Sequence, residues 1–162
     1  MINKLILLIL SRYYKFKLFY RKFKLFGINY NSNIRIYGDI KILGKRKNIT
    51  IGKNCSLNEG VLLHGGDKIF IGNNTTLSSN VLVHTGFLTM DILPRTHIYK
   101  SISIGNDVWI ASGVTISAGV IIGDRVVIGA NSFVNKNLDE GYFYAGNPVK
   151  KIKKIIYKEW NK

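Results

Sequence analysis

Between residues 103 and 134 the chain reads SIGNDVWIASGVTISAGVIIGDRVVIGANSFV, and a six-residue step runs through it. Ile104, Ile110, Ile116, Ile122, Ile128 and Val134 mark the step, and Val108, Val114, Val120 and Val126 keep it two positions earlier. A period of six fits neither an amphipathic helix nor a coiled coil. It fits short strands of alternating side chains, each ended by a turn. The β-branched residues on the step agree, as do Gly105, Gly123 and Gly129 just after three of its isoleucines. A unit this small cannot bury its apolar face alone, so stacked units must supply the core. The expected fold is an all-β solenoid.

The step extends backwards through Ile71, Leu77 and Val83, then through Ile51, Leu57 and Leu63, with Ile36 and Ile42 before them. If three hexads make one triangular coil, Leu63, Val83, Ile116 and Val134 share an edge. His64, His84, Ser117 and Asn135 then share the corner that follows. The pattern vanishes over 85–101, where Pro94 marks a loop thrown out from that corner. Long loops on compact solenoids commonly carry function. The expected organisation is a basic, aromatic helical arm over 1–30, the β-helix over 31–149 with its loop at 85–101, and a basic helical tail over 150–162.

Charge is uneven. The 162 residues hold 24 Lys and Arg against 9 Asp and Glu. Residues 1–26 contain seven cations and no acid, and 150–162 contain six lysines and one glutamate. Such ends attract phosphates and anionic lipid. The apolar run Leu5–Leu10 is too short to span a bilayer and lacks a small-residue cleavage site. The arm therefore reads as a cap on the first coil, as a helix on an anionic membrane surface, or as both. No nucleic-acid-binding module is present, so nucleic acid is not an expected partner. A single cysteine, Cys55, excludes an intramolecular disulfide and points to a reducing, cytoplasmic compartment, and the arm adds peripheral contact at the inner membrane face to the expectation. The place of Cys55 two before Leu57 makes it a core filler.

The hexads, the loop after the third edge, and the stretch from IGNDVWIASGV to YAGNPVKKIKK resemble the hexapeptide-repeat acetyltransferases. Similarity is greatest to the galactoside, maltose and polysaccharide O-acetyltransferase branch, and it covers residues 49–154. The resemblance implies a left-handed parallel β-helix, a homotrimer with sites between subunits, and direct acetyl transfer from acetyl-CoA without a metal. It also implies a saccharide acceptor of the surface glycan, capsule or lipopolysaccharide type, in polysaccharide biosynthesis. Trp109 matches the tryptophan that packs on the pantetheine arm. Ser112 and Ala130 match small groove-lining positions, and Lys136, Lys150 and Lys153 match cations that meet the cofactor phosphates. Asn58 falls where the family holds a substrate-contacting asparagine.

Direct transfer needs a base for the acceptor proton, and neutral imidazole suits that role near neutral pH. The chain has three histidines. The family histidine falls at Leu88 when hexads are counted forward, and at Thr85 when counted back from Trp109. His84 is therefore the candidate base, His97 in the loop is the alternative, and His64 is a candidate for orienting His84 or the acceptor. Two family arginines are lysines here, which replaces bidentate phosphate clamping by point-charge attraction. Three other readings stay open: N-acetylation of a nucleotide-linked amino sugar, a non-catalytic scaffold, and a γ-class carbonic anhydrase. The last needs an H-x₄-H pair for zinc, which His64, His84 and His97 do not form.

Overall fold

The computed structural model describes residues 6, 8–13, 16, 25–31 and 33–158. The chain winds as a left-handed β-helix whose three sides are sheets, parallel except for one final pairing. The first sheet holds Asn29–Tyr30, Ile49–Ile51, Ile69–Ile71, Ile102–Ile104 and Ile121–Ile122. The second runs from Arg35–Ile36 through Ser56–Leu57, Thr76–Leu77, Trp109–Ile110, Val127–Ile128 and Tyr142–Ala145 to Lys150–Lys154. The third holds Lys41–Gly44, Leu62–Gly65, Leu82–His84, Thr115–Ile116 and Phe133–Val134.

Each hexad step is one side of a coil, and alternation sends the step residue inward. Ile51, Ile71, Ile104 and Ile122 align on the first sheet. Leu57, Leu77, Ile110, Ile128 and Tyr144 align on the second, and Leu63, Val83, Ile116 and Val134 on the third. All are buried. Burying one such side chain contributes about 1.5–3 kcal/mol, so these columns outweigh any surface contact. Thr75 and Cys55, which enter the core, have their polar atoms satisfied. Thr75 Oγ1 donates to Gly105 O at 2.9 Å and accepts from Val108 N at 3.2 Å. Cys55 is fully buried, and its thiol donates to Gly72 O at 3.0 Å. Burial pushes that thiol up in pKa, which disfavours the thiolate and agrees with a packing role.

The corner between the second and third sheets needs a left-handed residue in every coil. Gly60, Asn80, Gly113 and Asn131 supply it, with φ of 75°, 59°, 71° and 56°. Glycine and asparagine alternate for a steric reason. A Cβ on Gly113 would sit 2.3 Å from Asn131 Oδ1 in the next coil.

Three segments differ from the sequence expectation. The 85–101 loop is partly ordered as a hairpin, in which Gly86–Leu88 pairs antiparallel with His97–Tyr99. The tail begins as a strand instead of a helix: Lys150–Lys154 pairs antiparallel with Tyr142–Ala145. The last coil presents an open edge of N–H and C=O groups, and the returning chain satisfies them. In the arm, residues 6, 8–13 and 16 are helical, while Asn29–Tyr30 already pairs with Thr50–Ile51. The other residues before 25 lie outside the described set. Leu25 and Ile28 are buried in the core cluster at the first coil.

Gly113→Ala should destabilise the protein by about 1–3 kcal/mol, because the new methyl combines a left-handed backbone with a clash against Asn131. Urea unfolding would measure this, and an unchanged midpoint would contradict the corner geometry.

Candidate active site

Within the third sheet the strand Leu82–His84 ends at His84, where the hairpin leaves the solenoid. Parallel pairing of Leu62–Gly65 with Leu82–His84 sets His64 directly beside His84. The two rings stack, with centroids 4.3 Å apart and planes 24° apart. His84 Nδ1 lies 2.7 Å from Gly86 O and 3.2 Å from Gly86 N. One nitrogen cannot donate and accept at once in a neutral ring, and the shorter contact is to the carbonyl. We therefore assign the proton to Nδ1, which leaves the Nε2 lone pair available. That is the tautomer a general base requires.

The corner is locked from several sides. Thr85 is buried, donates through Oγ1 to His64 O at 2.6 Å and accepts from Asp67 N at 3.1 Å. Lys100 N donates to Thr85 O at 2.8 Å and closes the base of the hairpin. Tyr99 lies over Gly66 and Gly86, where an added Cβ would fall 2.2 Å and 2.9 Å from its ring. Both glycines thus make room for the ring, which reaches to 6.0 Å from the centroid of His64. Burial, together with neighbouring His84 and His97, lowers the pKa of His64 below 6.5. His97 sits opposite Leu88 in the hairpin, exposed, and stacks on Tyr99 at 6.1 Å. The Leu88 position and His97 thus share one rung of the hairpin.

A second feature runs along the corner between the second and third sheets. Trp109 stands on the outer face of the second sheet, half exposed, and its Nε1 donates to Ser78 Oγ at 3.2 Å. Asn58, Ser78, Ala111, Gly129 and Ala145 stack beside it, linked by a main-chain ladder. Asn58 is held there by its amide, which donates to Leu77 O at 2.9 Å. Ser112 and Ala130 follow one residue on, both exposed. Side chains are so small here that a Cβ on Gly129 would fall 3.0 Å from Ala145 Cβ. The result is a shallow trough with an aromatic wall, able to hold a long, thin ligand arm.

The trough continues to cations. Phe143 pairs with Lys153 and Ala145 with Lys150, and the bulge that skips Ile152 leaves both lysines beside outward-facing partners. Lys151 lies instead over the Tyr142 ring, at 4.1 Å, and pairs with Asp139. That pairing holds the Asp139 carboxyl low and the Lys151 amine high. Lys136 is elsewhere: it follows Asn135 at the histidine corner.

One chain therefore gathers the sequence-derived residues into two groups. Trp109, Ser112, Ala130 and Asn58 lie at one edge of the third sheet, with Lys150 and Lys153 at their end. His64, His84 and Lys136 lie at the other edge. Sequence reasoning missed Ser78, Gly129 and Ala145 in the trough and Tyr99 beside the histidines. Ser78 was readable as the residue after hexad Leu77. Ala145 was not, because it follows Gly129 by 16 residues, off the eighteen-residue coil. Among the described residues, no three histidine, cysteine or carboxylate groups gather to hold a metal, and no helix is long and apolar enough to cross a membrane.

Comparison with known proteins bears directly on this arrangement. Residues 101–136 match the family described as bacterial transferase hexapeptide (six repeats). No curated protein matches the chain at a significant level. Among solved structures, a maltose O-acetyltransferase from Clostridium difficile 630 is 34% identical, over 81% of this chain and 71% of that one, with a TM-score of 0.76. A hexapeptide-repeat acetyltransferase from Vibrio cholerae, complexed with acetyl coenzyme A, is 28% identical over 83% and 74%, with a TM-score of 0.75. An N-acyltransferase from Bacillus cereus, in complex with dTDP and coenzyme A, is 26% identical over 80% and 77%, with a TM-score of 0.64. With its repeat, its three-sided coil and its small-residue trough, the chain belongs to the bacterial hexapeptide-repeat transferases, as an acetyltransferase that takes its acetyl group from acetyl-CoA.

Proposed function

We propose that the protein acetylates a hydroxyl of a saccharide of the surface glycan, capsule or lipopolysaccharide kind, with His84 as general base. The observation that carries the reading is the His84 contact to Gly86 O, which fixes the ring and leaves Nε2 to accept a proton. In the reaction the acceptor hydroxyl gives its proton to Nε2 and its oxygen bonds to the thioester carbon. The carbon–sulfur bond breaks, and the imidazolium returns the proton to the departing CoA sulfur. No acyl-enzyme is required. A similar solved structure being a maltose O-acetyltransferase supports a sugar hydroxyl as acceptor.

The two groups of site residues support a site shared between copies. The third sheet separates the trough from the histidine corner. A ring of copies with that sheet turned to the axis sets the trough of each beside the histidines of the next. We take the assembly to be a homotrimer with three such sites. Lys136 then approaches the cofactor from the neighbouring copy, and Lys150 and Lys153 approach it from the copy that supplies the trough. The arm suggests where the enzyme works. Ile6, Leu8, Ile9 and Leu10 are each about half exposed beside many cations, which suits an anionic membrane surface and a membrane-linked acceptor.

N-acylation of a nucleotide-linked amino sugar is the second reading, favoured by the likeness to an N-acyltransferase in complex with dTDP and coenzyme A. Measuring acetyl-CoA consumption with simple glycosides, polysaccharide fragments and nucleotide amino sugars separates the two. Turnover confined to the amino sugars would overturn the hydroxyl acceptor.

Three further outcomes are expected. His84→Ala should lower turnover by about 10²–10⁴ with acetyl-CoA affinity unchanged, whereas His97→Ala costs much less. The reverse order would place the base in the hairpin. Light scattering should give about 55 kDa, three times the 18.3 kDa chain. A single-chain mass at micromolar concentration would contradict the shared site. Finally, Lys150→Gln with Lys153→Gln should weaken CoA binding and flatten its salt dependence, and Lys151→Gln with Lys154→Gln should not. Equal effects in calorimetry would mean that the bulged pairing of the last two strands does not sort the phosphate contacts.

A further inference from the structure

The histidine corner holds two imidazoles in different hydrogen-bonding states. On His84 the proton faces Gly86 O through Nδ1. On His64, Nδ1 is the one buried side-chain nitrogen or oxygen without a partner among the described residues. A buried N–H with no acceptor is worse than a bare lone pair on a neutral ring, so the His64 proton belongs on Nε2. Burial and the stacked His84 also oppose a charge on His64. Parallel register places the rings one coil apart and 4.3 Å centre to centre. The stacked pair thus offers an N–H donor on one ring and a basic lone pair on the other.

We propose that this pair reads two neighbouring oxygens of the acceptor. His64 Nε2–H donates to one oxygen while His84 Nε2 takes the proton from a hydroxyl on the adjacent carbon. The substrate class is then a sugar whose acetylated hydroxyl has an oxygen substituent beside it, and a lone alcohol is a poor acceptor. The role of His64 rests on the assignment of His84 as base. The hairpin lies alongside: Tyr99, seated on Gly66 and Gly86, reaches to 6.0 Å from the His64 ring centroid. His64 is here an acceptor-binding residue that takes no proton in the reaction.

Two measurements on the full chain test this. The first is long-range proton–nitrogen NMR of histidine-labelled protein near pH 7, with signals assigned through His84→Ala and His97→Ala. His84 should carry its proton on Nδ1. His64 should be neutral with its proton on Nε2, titrating below 6.5. A His64 that is charged or Nδ1-protonated at that pH overturns the proposal. The second uses methyl glucoside, methyl galactoside and their monodeoxy analogues as acceptors. The parent enzyme should lose about 2–10-fold in kcat/KM on the analogue that lacks the neighbouring oxygen. His64→Phe keeps the stack and should lose that discrimination, mainly through KM. Retained discrimination overturns the role of His64. Activity in His84→Ala overturns the base assignment instead, and acetylation of neither glycoside overturns the acceptor class. If His64→Phe fails to fold, the NMR result on the parent enzyme decides.

Discussion

The main-chain ladder between successive coils, with its columns of Ile, Val and Leu beneath, positions every side chain that matters here. Each coil borrows its hydrogen bonds from the coils above and below, as Trp109 N does from Val126 O and Ser78 N from Ile110 O. A corner residue therefore has almost no positional freedom, provided the turn beneath it can adopt its left-handed residue. Gly60, Asn80, Gly113 and Asn131 meet that requirement coil after coil. The consequence is a pair of straight edges on either side of the third sheet. One is lined by small residues and one ends in histidines, and both are stiff because the core is. A side chain at the root of a hairpin on such an edge is held more firmly than one on a rung out along the hairpin, which separates His84 from His97 in mechanical terms.

Most of the fold was legible in the hexads, because a column of identical spacing admits one stacking. Ile104 to Val134, Ile71 to Val83 and Ile51 to Leu63 all face inward as the step requires. The segments that departed from expectation lack the step. The 150–154 stretch is rich in lysine and resembles a solvated helix. Its strand form depends on an open edge created by Tyr142–Ala145, which no local signal reveals. The hairpin at 86–99 is likewise decided at a distance, by the fit of Tyr99 over two glycines that precede it by 33 and 13 residues. The site was partly legible. Spacing placed His64 and His84 at one corner, and family resemblance marked Trp109, Ser112 and Ala130. What neither conveyed is that the two sets occupy opposite edges of the same sheet, since a motif read along the chain carries no sense of facing.

Electrostatics in the site rests on few interactions. One backbone carbonyl favours one tautomer of His84, and partial burial disfavours a charge on His64. Neither effect is screened by salt as a surface ion pair would be. The cations of the last strand differ in kind: Lys150 and Lys153 are exposed, so any contact they make with an anion is that of a salt-screened point charge. The trough is the more rigid of the two, since Trp109 is anchored by Ser78 and Gly129 packs closely beside Ala145.

The central claim is that trough and base come from different copies, and mixing two inactive variants tests it most directly. His84→Ala keeps a sound trough, and Trp109→Ala combined with Lys150→Gln and Lys153→Gln keeps a sound histidine corner. Coexpressed in equal amounts, random assembly should restore about one quarter of the parental sites, although each variant alone is inactive. Mixed assemblies with no more activity than the separate variants would show that each chain builds its own site, and would contradict this account.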